Sequence, residues 1–327
     1  MISKSELLKD KALCRDRAIG SLVGLAIGDS FGDAARTPEN HFMFGITMDF
    51  QDGKTWSTDD TEFALLTANT LIESGGELTP EHVLSAWKNH VLVQSEFPRG
   101  GASEREAALN IKRGLLPPET GRFNSYNISD GAAMRVGPIG IVNAGDPARA
   151  RQQAEIDAQI SHWRDGIWGA QAVAAAVATA MADGTVDEIV TAAVDAAPAD
   201  SWLRHTLEKS LAIVDGAASL EEAWMPLHHA LVTEYKAAVP EAVSEAICVF
   251  KLTGGDFRKG IIYGSNFGRD SDTIAAIVGA ISGAKCGLSG IPPAWAEKCR
   301  YPSGTCLAFT KGLDIFDLGQ KLSDLIG

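Results

Sequence analysis

The chain has 327 residues, 45% of them hydrophobic, and a formal net charge of −13. That much apolar material builds a core without covalent staples, in one large domain or two ordinary ones. The charge repels nucleic-acid phosphates and anionic membrane surfaces, so neither is an expected partner.

Five scattered cysteines, Cys14, Cys248, Cys286, Cys299 and Cys306, include no C-x-x-C pair. An odd count reads as free thiols in a reducing, cytoplasmic compartment. The N-terminal "MISKSELLKDKALCRDRAIG" is amphipathic and has no signal-peptide core. The uncharged run 166–182 falls short of a membrane span and reads as a closely packed interior helix.

Helical periodicity dominates the chain. It predicts a first helix over 8–27, closed by Gly28, with Leu8, Ala12, Ala18, Leu22, Leu25 and Ala26 on one face. Helices follow at 60–74, 80–92, 103–114 and 130–142. The pattern continues at 147–160, 166–183, 186–196, 201–214, 219–230, 240–252, 256–264, 272–285 and 309–325. Thr79-Pro80, Asp146-Pro147 and Val239-Pro240 place proline where a helix begins. The best candidate for an extended piece is "HFMFGITMDF", 41–50, inside a loop. The expectation is an all-α, many-helix fold forming a single compact domain over 1–327.

Four stretches exceed what a plain helical protein needs. In "GLAIGDSFGDAARTPE", 24–39, Gly24, Gly28 and Gly32 fall four apart, as do Asp29 and Asp33; such an edge lets helices approach closely. In "TWSTDDTEFALL", 55–66, Asp59 and Asp60 stand between Thr58 and Thr61 before an apolar run. Asp59 and Glu62 have capping-box spacing, yet adjacent carboxylates with a hydroxyl also suit a hard divalent cation. In "GSNFGRDSDTIAAIVGAISGA", 264–284, Asp270, Asp272 and Thr273 repeat that composition, and Gly268 lets the backbone bend. Four carboxylates brought together repel strongly, and two shared metal ions relieve the repulsion most simply. In "NISDGAAMRVGPIG", 127–140, Ser129 and Asp130 precede a helix start whose N–H groups could cradle phosphate, with Arg135 in reach.

Together, in this order, the four stretches resemble the ADP-ribosylglycohydrolase family, which includes dinitrogenase-reductase-activating glycohydrolase. "STDDT" and "GRDSDTIAAIVGAISGA" are the specific parts. "GAAMRVGPIG" and "AQISHWRDGIWGAQAVAAAVATA" are weaker. The resemblance implies a binuclear Mg²⁺ or Mn²⁺ site held by Thr58, Asp59, Asp60, Asp270, Asp272 and Thr273. It implies hydrolysis at C1″ of ADP-ribose conjugates, with arginine or serine as acceptor, on a small molecule or a modified protein. Ser129, Gly131 and Met134 would line the ribose-diphosphate side, and His162 matches a family histidine. Asp130, Arg135, Gly268 and Arg269 complete the candidate substrate-binding set, Arg269 either pairing with the carboxylates or touching a phosphate. Asp59 or Asp272 is the candidate acceptor of the water's proton.

Two departures stand out. Where relatives commonly carry a glutamate seven residues after the Asp29 position, this chain has Arg36, and Asp33 or Glu39 could stand in. Where many relatives have a His-Pro run, it has "SHWRDGIWGA", with Trp163 and Trp168. Trp87, Trp168, Trp202 and Trp224 read as core, Trp56 as a possible site residue, and His228-His229 as a surface pair. Rival readings are an N-ribosidase of smaller nucleosides or nucleotides and a non-enzymatic, crystallin-like relative. A monomer or weak homo-oligomer is expected.

Overall fold

The computed structural model describes residues 2, 4–7, 9–36, 45–50 and 53–327. Among them there is no strand; one isolated bridge joins Ser129 to Ala238. The helices of eight residues or more are Lys11–Ala34 (α1), Asp59–Glu73 (α2), Ala102–Lys112 (α3), Pro147–Ala158 (α4), Asp165–Met181 (α5) and Val186–Val194 (α6). They continue with Trp202–Gly216 (α7), Leu220–Leu231 (α8), Val239–Leu252 (α9), Phe257–Asn266 (α10), Ser271–Cys286 (α11) and Ile315–Ser323 (α12). No helix among the described residues is long and apolar enough to cross a membrane. All five cysteines are free.

The organising contact is α1 against α11. A side chain has no room along this seam. A Cβ on Gly24 would lie 2.3 Å from the Gly279 carbonyl oxygen, one on Gly28 2.1 Å from that of Ala275, and one on Gly32 2.2 Å from that of Ser271. The clashing atoms are backbone, so nothing can rotate away. The four-residue glycine spacing therefore sets the distance between the helices and seats the acidic end of α1 on the first turn of α11. Gly28 does not close α1 as its sequence suggests. The helix runs on to Ala34 because Gly28 is needed in its interior for close approach, which offsets glycine's poor helix propensity.

Around this pair the alanine-rich α5 is buried over nearly its whole length, as its composition implies. A second apolar cluster, including Phe63, Trp87, Ala107, Ile111 and Met134, lies under α2 and α3. Two expected helices are broken, and a third is continuous but widens in its last part. The 80–92 segment is Pro80–Ala86 followed by a wider turn over Trp87–Val91. The 130–142 segment is a short turn, Ala133–Arg135, then Gly137–Val142, whose second residue is Pro138 and donates no hydrogen bond. The 309–325 segment becomes a turn at Ala308–Thr310 and then α12, interrupted by Gly312 at φ +77°. Residues 41–44 and Glu39 lie outside the described residues; 45–50 hold bends and irregular backbone, with no strand. Trp202 is not core: it starts α7 and is 46% exposed.

Candidate functional site

The start of α2 is capped from another helix. Thr58 is its N-cap residue but makes no side-chain cap of its own. Its N–H donates to Asp29 Oδ2 at 2.9 Å and its hydroxyl to Asp29 Oδ1 at 2.6 Å. The Thr61 N–H, at 3.2 Å, and the Thr61 hydroxyl donate to the same carboxylate. Asp29, buried in α1, thus satisfies the donors that a local acid would otherwise take. The expected capping box is absent. Glu62 instead accepts from the N–H groups of Thr305, Cys306 and Leu307 at 2.6–2.9 Å and from the Ser57 hydroxyl.

Asp59 and Asp60 are thereby released. Asp59 has no side-chain hydrogen bond among the described residues, and Asp60 Oδ1 is buried without a partner. Both carboxyls sit well above the usual carboxylate range. Burial is the main cause; then Glu104 and Asp272 act on Asp59, and Asp272 and Asp29 on Asp60.

Gly268 (φ +87°) and Arg269 (φ +61°) turn the chain into α11. Asp270 is its N-cap residue and makes no cap bond, so it too is spared for other partners. Arg36, two residues beyond α1, reaches across to this pair. Its guanidinium lies 2.8 Å from Asp270 Oδ1, bonds Asp272 Oδ2, and is 3.8 Å from Asp33. Lys236 Nζ stands 3.2 Å from the same Asp270 oxygen. Asp272 Oδ1 and Asp130 Oδ2 are buried without partners. Burial, then the Asp270 charge, pushes Asp272 up to about 6, against the pull of Arg36. Burial and Asp270 also hold Asp130 well above its ordinary value. Thr273 is buried in the same first turn.

Whether these residues suit a divalent cation can be judged from the oxygens. Asp59, Asp60, Asp130, Asp270 and Asp272 are gathered and buried, and among the described residues Arg36 and Lys236 are the cations in ion-pair reach of any of them. Three carboxylate oxygens remain orphaned, at a cost that a hard cation would remove. The donor set therefore fits Mg²⁺ or Mn²⁺ in chemistry. It is not a ready-made cage, because no three His, Cys, Asp or Glu side chains among the described residues converge closely enough to hold a metal as they stand.

Asp33 accepts from Trp56 Nε1 at 2.6 Å and pairs with Arg99, so Trp56 does border the site. Other residues assigned to substrate are committed elsewhere. Arg135 is 1% exposed, and its guanidinium is spent on Asp157, Glu104, Ser161 and the Gly131 carbonyl, 5.5 Å above the Trp87 ring. It is a core ion pair, not a free phosphate ligand. Arg269 bonds Glu241 and the Thr233 carbonyl rather than the site carboxylates. His162 is buried between Ser129 Oγ (2.9 Å from Nε2) and Ser161 Oγ (2.7 Å from Nδ1). Burial, then Arg135, holds it well below the imidazole range, hence neutral. Met134 belongs to the second apolar cluster. Gly131 follows Asp130 against Glu104: a Cβ there would lie 2.3 Å from Glu104 Oε1. The phosphate cradle expected at this point loses its helix, since only a short turn follows. His228 is not a plain surface residue: it stacks on Phe267 with ring centroids 4.1 Å apart.

Sequence reasoning passed over Glu104, Lys236 and Arg99. Glu104 had a signal in Gly100-Gly101. A Cβ on Gly101 would meet Glu104 Oε2 at 2.3 Å and Asp59 Oδ2 at 3.2 Å, so the glycine marks a close approach to acids. Lys236 and Arg99 lie on connecting segments with no local pattern to mark them.

An all-helical fold in which a glycine seam packs α1 on α11, beside the acidic starts of α2 and α11, defines the class, and residues 10–326 match the ADP-ribosylglycohydrolase family model. The chain belongs to that family. It is 31% identical over 288 residues to an uncharacterized protein of Archaeoglobus fulgidus, covering 84% of this chain and 89% of that protein. It is 24% identical over 298 residues to the ADP-ribosylarginine hydrolase Tri1 of Pseudomonas putida, covering 88% of this chain and 75% of Tri1. A solved structure, the ADP-ribosylglycohydrolase-related protein complex, shares the fold, with a TM-score of 0.66 at 20% identity over 96% of this chain and 99% of that one.

Proposed function

We propose that this family member is a divalent-metal-dependent glycohydrolase that cleaves the C1″ bond of an ADP-ribosyl conjugate, with ADP-ribosyl-arginine as the leading candidate. The observation that carries this reading is the buried carboxylate cluster with orphaned oxygens on Asp60, Asp130 and Asp272. A structural role gives no reason to leave three such oxygens unpaired. The likeness to Tri1 favours arginine as the acceptor.

Asp59, Asp60 and Asp272 would hold the metal, with Thr58 alongside. When bound, a divalent cation supplies Lewis-acid polarisation and a water acidified toward neutral pH. The remaining chemistry falls to the chain. Breaking a ribosidic bond builds positive charge on the ring oxygen and C1″, and the fixed carboxylates stabilise it without reorganising. The Asp59 oxygen not turned to the metal would accept the proton of the attacking water. Asp33 is held in place by Trp56 and Arg99 at the edge of the cluster. Departing guanidine is readily protonated, which lightens the demand for a general acid.

A hydrolysis screen with excess Mg²⁺ or Mn²⁺, against EDTA controls, tests the proposal. ADP-ribosyl-arginine, ADP-ribosyl-serine, O-acetyl-ADP-ribose and simple nucleosides are compared. Metal-dependent release of ADP-ribose from a conjugate is the expected result. Release from nucleosides alone would move the protein to the ribosidases, and no release from any substrate would sink the reading.

A further inference from the structure

We infer that Arg36 is a built-in cation of the site, replacing one of two metal ions, so that the protein takes a single divalent ion. The inference rests on the metal-dependent reading above and concerns only how many ions the acids accept. Three observations carry it. The Arg36 guanidinium engages both acids of the α11 start, Asp270 Oδ1 and Asp272 Oδ2. Lys236 adds a second positive group on the same Asp270 oxygen. By contrast, Asp59 and Asp60 meet no cation within ion-pair distance among the described residues, and the orphaned Asp60 Oδ1 and Asp272 Oδ1 are left over.

The chemistry follows from the guanidinium. Its planar fork matches two carboxylate oxygens at once, as a metal ion between the same acids would. It keeps its proton at any working pH, so it cannot leave by titration. A second divalent ion between Asp270 and Asp272 would have to expel it into water and face its charge at close range. The first ion has no such competitor at Asp59, Asp60 and the free oxygen of Asp272. The Arg36 side chain is 28% exposed, so it can be removed without opening the core.

The test is stoichiometry. Chelator-treated protein is dialysed against Mn²⁺, bound metal is measured by mass spectrometry, and the Mn²⁺ electron spin resonance spectrum is recorded. The wild type is expected to bind one Mn²⁺ with an isolated six-line spectrum. Arg36→Ala is expected to bind two, with a spin-coupled spectrum. Arg36→Gln, which keeps the bulk and drops the charge, serves if the alanine variant does not fold, and should also bind two. Two ions in the wild type overturn the inference while leaving the metal reading intact. One ion in the wild type and in every folded variant overturns it as well. No ion in the wild type but one or more in a variant overturns the single-ion count. No ion in any of the proteins removes both the inference and the metal-dependent reading.

Discussion

The two acidic helix starts share a composition and differ in company. At α2, Asp59 and Asp60 have their capping duty taken over by Asp29 and meet no basic side chain in ion-pair reach among the described residues. At α11, Asp270 and Asp272 are likewise spared from capping but are met by Arg36 and Lys236. A local motif of acids and hydroxyls thus specifies where oxygens are presented, while the charge on the neighbouring element decides what they can accept. In the buried Arg135–Asp157–Glu104 group, by contrast, one guanidinium meets two carboxylates, at 2.7 Å and 3.3 Å, and ties the core to the edge of the site.

That contrast can be broken first at Asp60. Asp60→Ala removes a buried carboxylate whose Oδ1 has no partner and is expected to lower turnover of the cleaved conjugate by about 10²–10³-fold, the scale of losing a preorganised electrostatic group. Asp270→Ala should lose clearly less, because its charge is already met by Arg36 and Lys236. Steady-state assays of the two variants side by side decide it, and equal losses would erase the distinction.

The next effect is on the seam that sets the two starts together. In Gly32→Ala the new Cβ would lie 2.2 Å from the Ser271 carbonyl oxygen, so α1 and α11 must part. A destabilisation of about 1–3 kcal/mol is expected in urea unfolding. Gly216→Ala, in α7 with open space around it, should be neutral or slightly stabilising.

Smaller again is the loss of the borrowed cap. Asp29→Asn keeps the shape but offers only one accepting oxygen, to donors that now use both. A cost of about 1–2 kcal/mol is expected by thermal or urea unfolding, and a neutral result would mean that Thr58 and Thr61 cap themselves.

The finest test is in pH. Asp272 is held up to about 6, chiefly by burial and then by Asp270, so its proton favours the folded state. The stability it contributes is complete below the unfolded value near 4 and is lost as pH rises through about 6. In EDTA, the stability of wild type relative to Asp272→Asn should therefore fall between pH 4 and 6, by at most about 1.4 kcal/mol per pH unit, and level off above 7. A difference that grows with pH would show that Arg36 outweighs the burial of this carboxylate.

Much of this was legible in the chain. Periodicity located the principal helices, and the paired acids of 58–60 and 270–273 identified the stretches that meet. What was misread shares one cause. A local reading counts glycine as a helix end, whereas Gly28 answers to Ala275 on another helix. Arg135 and Arg269 look available as ligand groups because each is a basic residue beside a site motif. Their partners, Asp157 and Glu241, lie 22 and 28 positions away and carry no local mark.

By itself, then, the sequence determined the all-helical class, the free thiols, the glycine edge and the two acid pairs, because spacing and residue type act over a turn or two of chain. Tertiary structure alone decided which acids remain unpaired. That depends on Asp29 reaching α2 from 29 positions away and on Arg36 reaching α11 from 234 and 236 positions away. Charge compensation in a buried site is set by distance in space, and only the packing of α1 on α11 supplies that distance.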